Sequence, residues 1–148
     1  MGPRSRPLAL SYSIDVRRCR VTVTATAQPT FDEWVHVHTA FLRDPAFRCG
    51  FDLLWDRRGY RTAPDRAYIE RVIAWWHDHQ AAMGDGRVAT VVPDGTPAAY
   101  GMARMAEILG RSESSLRAFH DIDQAVQWLD ERFEPDATVG SAHRPRGQ

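Results

Sequence analysis

Alternating apolar and polar residues open the chain and predict a β-hairpin. Tyr12, Ile14 and Val16 alternate with polar neighbours. After a charged corner, Val21 and Val23 alternate with threonines. A period of two with β-branched residues is typical of half-buried strands, and the short connection makes the two strands antiparallel.

Short apolar runs and helical periods follow the hairpin. Thr30 and Glu33 form a capping box at the start of a first helix, in which apolar residues recur at helical spacing. The run at residues 51–55, apolar apart from Asp52, and the run at residues 88–92 are typical of buried strands covered on both faces. Residues 116–119 predict a last short strand.

Three further helices are predicted, at about residues 62–83, 96–110 and 121–133. The predicted order is ββαβαβαβα. Alternating strands and helices favour right-handed crossovers between parallel strands. We therefore expect an α/β fold in one domain, with a five-stranded mixed sheet that is mostly parallel, one antiparallel edge strand and about four helices.

Length and composition fit one globular domain. The 148 residues are 43% apolar and 26% charged, and a domain of this size buries about two-thirds of its extended-chain surface. We expect order over residues 9–133, with disorder at residues 1–8 and in a polar tail at residues 134–148. No secretory signal or apolar span is recognisable, and two cysteines fit reduced thiols, so the sequence predicts a cytoplasmic protein.

The charged residues exclude several chemistries. Nineteen basic residues balance 19 acidic ones, which argues against nucleic acid as the main partner. Every basic residue is arginine, so Schiff-base catalysis and a P-loop lysine are excluded. The sequence has neither a nucleophile elbow nor a dinucleotide-binding glycine motif after a strand. We predict no cofactor and no catalytic residue.

Two histidine pairs do not predict a metal site. His36 and His38 lie in one predicted helix, and His77 and His79 lie in another. Residues two apart on a helix point about 200° apart, so neither pair can chelate a metal. His38 falls on the apolar stripe of its helix, and we expect a hydrogen-bonded, partly buried imidazole there.

Three segments carry a family resemblance. They read RVATVV at residues 87–92, YGMARMAE at residues 100–107 and RAFHDIDQAVQWL at residues 117–129. Together they resemble the SpoIIAA-like family, bacterial relatives of the STAS domains, and the order of elements matches over about residues 10–133. The resemblance implies the five-stranded mixed sheet. It also implies similarity to Sec14-type (CRAL-TRIO-like) lipid carriers, which bind apolar ligands and associate with membranes. Scaffold motifs of this kind carry a fold and no reaction.

The turn after the third strand departs from the partner-switching relatives. In those relatives it reads Asp-Ser-Ser/Thr-Gly, and a hydroxyl there takes a phosphate. Here Arg57 and Arg58 occupy both hydroxyl positions between Asp56 and Gly59. A serine phospho-switch is therefore not expected. Protein-partner binding of the STAS type without phosphorylation stays open as an alternative function.

The helix predicted at residues 62–83 has an unusually wide apolar face. Its expected core stripe contains Ile69, Val72, Ile73, Trp76 and Met83. Tyr68, Trp75 and His79 form a second band beside it. Such a band can line a ligand cavity, form a homodimer interface or touch a membrane surface, and a helix buried deeper than usual is the simpler alternative.

The favoured hypothesis is a non-catalytic binding or regulatory module for an apolar or amphiphilic small ligand. It includes a homodimer and at most peripheral, transient contact with a membrane. The predicted lining of its apolar pocket is Tyr68, Trp75, Trp76, Tyr100 and Met105.

A second candidate site lies at the carboxyl ends of the parallel strands, where α/β sheets bind ligands next to helix N-termini. Arg58, Thr96 and His120 are the predicted anion-binding residues. They leave open a small enzyme acting on an anionic metabolite. Turn and capping chemistry with solvated arginines is the alternative interpretation.

Overall fold

Five strands lie side by side in chain order in the computed structural model, which describes residues 9–62, 64–93 and 116–131. β1 pairs with β2 in antiparallel fashion, and the other neighbouring strands are parallel. The predicted mixed sheet with an antiparallel edge strand is confirmed. The strands are β1 (Leu10–Asp15), β2 (Arg20–Ala25), β3 (Asp52–Asp56), β4 (Val88–Val91) and β5 (Leu116–Phe119).

Four helices accompany the sheet within those ranges: α1 (Phe31–Arg43), α2 (Arg66–Asp78), α3 (Gln80–Met83) and α4 (Ile122–Asp130). The described order is β1-β2-α1-β3-α2-α3-β4-β5-α4. It differs from the predicted order because the long helix expected at residues 62–83 is divided at His79. The helix expected at residues 96–110 lies outside the described residues.

Local sequence signals set the helix starts. The Thr30 hydroxyl accepts a hydrogen bond from the Glu33 backbone N–H at 3.0 Å, and the Glu33 carboxylate accepts one from the Thr30 N–H at 2.8 Å. The predicted capping box of α1 is therefore confirmed. Asp65 caps α2 by accepting a hydrogen bond from the Tyr68 N–H. The α2 helix thus begins slightly later than the sequence suggests.

The larger core lies between the sheet and the helices α1 and α2. Val21 and Val23 of β2 and Leu53 of β3 point into it and are almost completely buried. They meet Trp34 and Phe41 of α1. The alternation predicted for β2 places its threonines on the opposite face.

A smaller core lies on the other face, between α4 and strands β3 to β5. Trp128 and Leu129 pack there against Leu54 and Val91. The Arg87 guanidinium lies 4.7 Å from the Trp128 ring centroid and donates a hydrogen bond to the Trp128 carbonyl at 2.7 Å. These contacts fix α4 against one face of the sheet. The candidate site lies on the other face, which α1 and α2 cover.

Candidate functional site

An apolar cavity lies between α2 and the face of the sheet formed by β3, β4 and β5. Its volume is about 120 Å³, and an engineered protein cavity of about 150 Å³ holds benzene. The apolar side chains of its wall are Trp34, Trp55, Tyr60, Tyr68, Ile69, Val72, Ile73, Trp76, Val88, Leu116 and Ala118. The space is therefore sized for a ligand of about one aromatic ring.

One stripe of α2 forms the helical wall of the cavity. Ile69, Val72, Ile73 and Trp76 recur at helical spacing, so they share one side of the helix. All four are only partly buried. These are the residues that the sequence assigned to the core stripe, and in the structure they face the cavity.

Trp75 lies in the core and does not line this cavity. Its ring is 9% exposed, meets the Trp34 ring edge-on at 5.1 Å and stacks on His79 at 3.8 Å between centroids. Part of the second band predicted from the sequence is thus used to join α2 to α1. Trp75 is buried because α1 places Trp34 and His38 against this side of α2.

Tyr68 takes part both in the contact between α2 and α1 and in the cavity wall. Its ring meets the Phe31 ring edge-on at 6.2 Å, and it also lines the cavity. Among the residues predicted for an apolar pocket, the structure therefore places Tyr68 and Trp76 in the cavity wall and Trp75 in the core. Tyr100 and Met105 lie outside the described residues. Ligand binding at this cavity stays a prediction.

Two of the residues that line the cavity, Gln28 and Tyr68, carry buried polar atoms. Tyr68 Oη and Gln28 Oε1 are both buried, and within the described ranges neither has a hydrogen-bond partner of acceptable geometry. Burial raises the pKa of the Tyr68 hydroxyl, so it stays protonated, while the charge of the Arg57 guanidinium and a side-chain hydrogen bond with Gln28 act in the opposite direction. Buried polar groups normally have a partner, and the Gln28 side chain lies within hydrogen-bonding reach of the Tyr68 hydroxyl.

Arg57 and Tyr60 stand at the cavity wall as well. The Arg57 Nε–H donates to the Tyr60 hydroxyl at 3.0 Å, and the guanidinium lies 5.5 Å from the Tyr60 ring centroid. Arg57 is buried, with 7% of its surface exposed. From the sequence, Arg57 stood out only as a replacement for a phosphorylatable residue. Gln28 and Tyr60 were missed because loop residues carry no periodic signal.

The candidate anion site at the strand ends has a different environment. The Arg58 guanidinium makes two hydrogen bonds to the Asp56 carboxylate, at 2.9 and 2.8 Å, which lower the pKa of Asp56. Asp56, Asp121 and Asp123 together raise the pKa of Arg58. An anion approaching Arg58 would meet these carboxylates.

Of the other two residues predicted for an anion site, His120 lies within the described residues. His120 Nδ1 lies 3.3 Å from the Val92 carbonyl oxygen. Thr96 lies outside the described residues. Anion binding at these residues stays a prediction.

His38 lies directly behind the cavity wall. Its ring stacks on Trp34 at 3.8 Å and on Trp55 at 5.3 Å between centroids, and both tryptophans line the cavity. Its Nδ1 lies 2.8 Å from the Trp34 carbonyl oxygen, whereas its buried Nε2 has no partner in the described part of the chain. Burial lowers the pKa of His38 to about 3, so the imidazole is neutral.

No group of three or more His, Cys, Asp or Glu side chains in residues 9–62, 64–93 and 116–131 is placed to hold a metal ion. Among the same residues, no helix has the length and apolar character needed to cross a membrane. Comparisons of the chain with family models, curated proteins and solved structures gave no match.

Proposed function

We propose that this protein is a non-catalytic binding module of the SpoIIAA-like type, whose cavity between α2 and the sheet binds a small apolar or amphiphilic ligand. The observation that carries the proposal is the apolar cavity of about 120 Å³. The family resemblance of residues 87–92, 100–107 and 117–129 is consistent with such a role.

The energetic cost of an empty cavity supports the proposal. Unfilled space in a protein core costs about 24 cal/mol per Å³. A closed cavity of about 120 Å³ would forgo about 3 kcal/mol of stability, and this cavity, which is partly open to solvent, forgoes less. Since small domains are stable by only about 5–15 kcal/mol, a ligand that fills this space would recover a substantial fraction of that stability.

The proposal is confined to a small ligand and does not extend to a membrane surface. Peripheral membrane binding needs a contiguous apolar patch. Among the described residues, Val16 is the large apolar side chain that is exposed, and it lies in the β1–β2 turn, away from the cavity-lining residues.

Toluene provides a direct test because it matches the cavity in size and has no polar group. We expect saturable binding of toluene by NMR titration, with a dissociation constant on the order of 1 mM. At about five times that concentration, near the solubility limit of toluene in water, the native state gains about 1.1 kcal/mol, which raises the melting temperature by roughly 2–4 °C.

A cavity-filling variant locates the binding site. Val72→Phe places a ring in the cavity wall and should abolish toluene binding. Val126→Phe is the matched control, because Val126 is a half-buried valine of α4 on the opposite face of the sheet. Toluene binding that is absent in the parent chain, or that persists unchanged in a folded Val72→Phe variant, would refute the proposal.

A further inference from the structure

The charged side chains at the cavity restrict the ligand further, and this inference rests on the proposed binding function. Arg57 lines the cavity and follows Trp55, another wall residue, by two positions at the end of β3. Asp56 does not line it, and its carboxylate accepts two hydrogen bonds from the Arg58 guanidinium. None of the described lining residues is Asp or Glu. The described part of the wall therefore carries the charge of Arg57 and no carboxylate.

Arg57 keeps its positive charge in this environment. A guanidinium is not deprotonated in proteins, and only 7% of the surface of Arg57 is exposed. Its Nε–H donates to the Tyr60 hydroxyl at 3.0 Å, and this neutral group does not cancel the charge. A charge that is shielded from water acts more strongly over several ångströms than one in bulk solvent, so a ligand in the cavity would be affected without touching Arg57.

The charge of Arg57 already acts on another residue of the cavity wall. Burial raises the pKa of the Tyr68 hydroxyl most strongly, and the Arg57 guanidinium acts in the opposite direction. The Glu33 carboxylate, which does not line the cavity, raises this pKa by less than Arg57 lowers it. Of these two charged groups, Arg57 therefore has the larger effect at the cavity.

We propose that the cavity selects a small anionic amphiphile, a carboxylic acid whose carboxylate lies toward Arg57. The apolar body of the ligand then lies against the α2 stripe of Ile69, Val72 and Trp76. An uncharged ligand of the same shape gains less from the guanidinium, and a cation is repelled by it. Because the cavity is partly open to solvent, the carboxylate keeps part of its hydration, which lowers the cost of bringing it in.

Benzoate, benzamide and benzamidinium test this inference, because they have nearly the same shape and are negative, neutral and positive. In NMR titrations of the full chain, the affinity should fall in that order, with benzoate binding about tenfold more tightly than benzamide. Equal affinities for the three probes, or tighter binding of benzamide or benzamidinium than of benzoate, would overturn the inference. Since toluene binding is measured separately, either result would leave the proposed function standing.

Substitutions at Arg57 and its neighbour assign the preference to one side chain. Arg57→Met removes the charge and should bring the affinities for benzoate and benzamide within about threefold of each other, whereas Arg57→Lys keeps the charge and should keep most of the preference. Arg58→Met is the matched control, because the Arg58 guanidinium is held by Asp56 and does not line the cavity. It should keep the full preference. A folded Arg57→Met chain that keeps the preference, or an Arg58→Met chain that loses it, would contradict the assignment.

Val72→Phe locates the acid without any change at Arg57, so the test holds even where Arg57→Met does not fold. This variant should abolish benzoate binding together with toluene binding. Benzoate that still binds to a folded Val72→Phe chain occupies another site, and the inference would then be wrong. Failure of toluene and of all three charged and neutral probes to bind the parent chain would reject the proposed function itself.

Discussion

Protonation of His38 should link the stability of this domain to pH. The ring is completely buried and is surrounded by the rings of Trp34, Phe41, Trp55 and Trp75. Its Nδ1–H donates to the Trp34 carbonyl oxygen at 2.8 Å, and its Nε2 meets no acceptor among the described residues. A second proton on this ring would be a buried charge with one N–H unsatisfied, so the native state resists protonation.

The direction and size of the effect follow from the two pKa values. Burial lowers the pKa of His38 to about 3 in the native state, whereas an unfolded histidine has a pKa of about 6.5. Between these values the unfolded chain binds the extra proton and the native chain does not. The contribution is therefore fully present above about pH 6.5 and is lost as the pH falls, at up to about 1.4 kcal/mol per pH unit. From pH 7.5 to pH 5.0 the free energy of unfolding should fall by about 2 kcal/mol.

Carboxylates should contribute little in this window. Hydrogen bonds lower the pKa values of Asp44 and Asp56 in the native state. A group of this kind keeps its stabilising contribution above its unfolded pKa of about 4 and loses it only as the pH falls further. Measurements between pH 5.0 and 7.5 therefore isolate histidine.

Urea denaturation of three chains at pH 5.0 and 7.5 tests the reasoning. The parent chain and His36→Phe, whose native histidine is exposed, should both lose about 2 kcal/mol at the lower pH. His38→Phe should lose most of this pH dependence, whatever its absolute stability. An NMR titration of the parent chain gives a second measurement that needs no variant. A His38 resonance that titrates near pH 6.5, or a parent chain whose stability is unchanged at pH 5.0, would refute the argument.

Three further predictions test the fold and the site. Thr30→Ala removes half of the α1 capping box and should lower the free energy of unfolding by about 0.5–2 kcal/mol in urea denaturation, whereas Thr26→Ala, at an exposed position, should change it by less than about 0.5 kcal/mol. Gly86→Ala would place a Cβ atom 2.2 Å from the Phe51 carbonyl oxygen, so thermal denaturation should show a loss of about 1–3 kcal/mol, and a neutral result would contradict this packing. Toluene affinity should be the same at pH 5.0 and 7.5, because His38 is neutral in the native state at both values. A tenfold change in a calorimetric titration would show that the cavity wall responds to protonation.

The sheet was predictable because its determinants are local and periodic. The alternation around Ile14 and Val23 and the continuous apolar run at residues 51–55 give the strands, and the short β1–β2 connection gives their antiparallel pairing. The capping box of Thr30 and Glu33 gives the start of α1 in the same way. Each of these signals involves only residues close together in the sequence, so each can be recognised without knowledge of the tertiary structure.

The use of the two apolar bands of α2 was not predictable in this way. Helical spacing shows that Ile69 and Val72 share one side and that Trp75 and His79 share another, but it does not show which neighbour each side meets. Trp75 is buried because α1 brings Trp34 to it, which is a contact between residues 41 positions apart in the sequence. Gln28, which also lines the cavity, lies in a loop, and its position there gives it no periodic signature.

The cavity follows from an uneven distribution of side-chain size around α2. Large rings join α2 to α1, through Trp75 against Trp34 and Tyr68 against Phe31. In the described part of the chain, α2 packs more closely against α1 than against any strand. The sheet below its other side contributes the small side chains of Val88, Thr90 and Ala118 beside the larger Trp55 and Leu116. The aliphatic side chains of α2 are too short to fill the space that remains between α2 and the sheet. A larger side chain on the sheet, as in Ala118→Leu, should therefore reduce toluene affinity and raise the free energy of unfolding together.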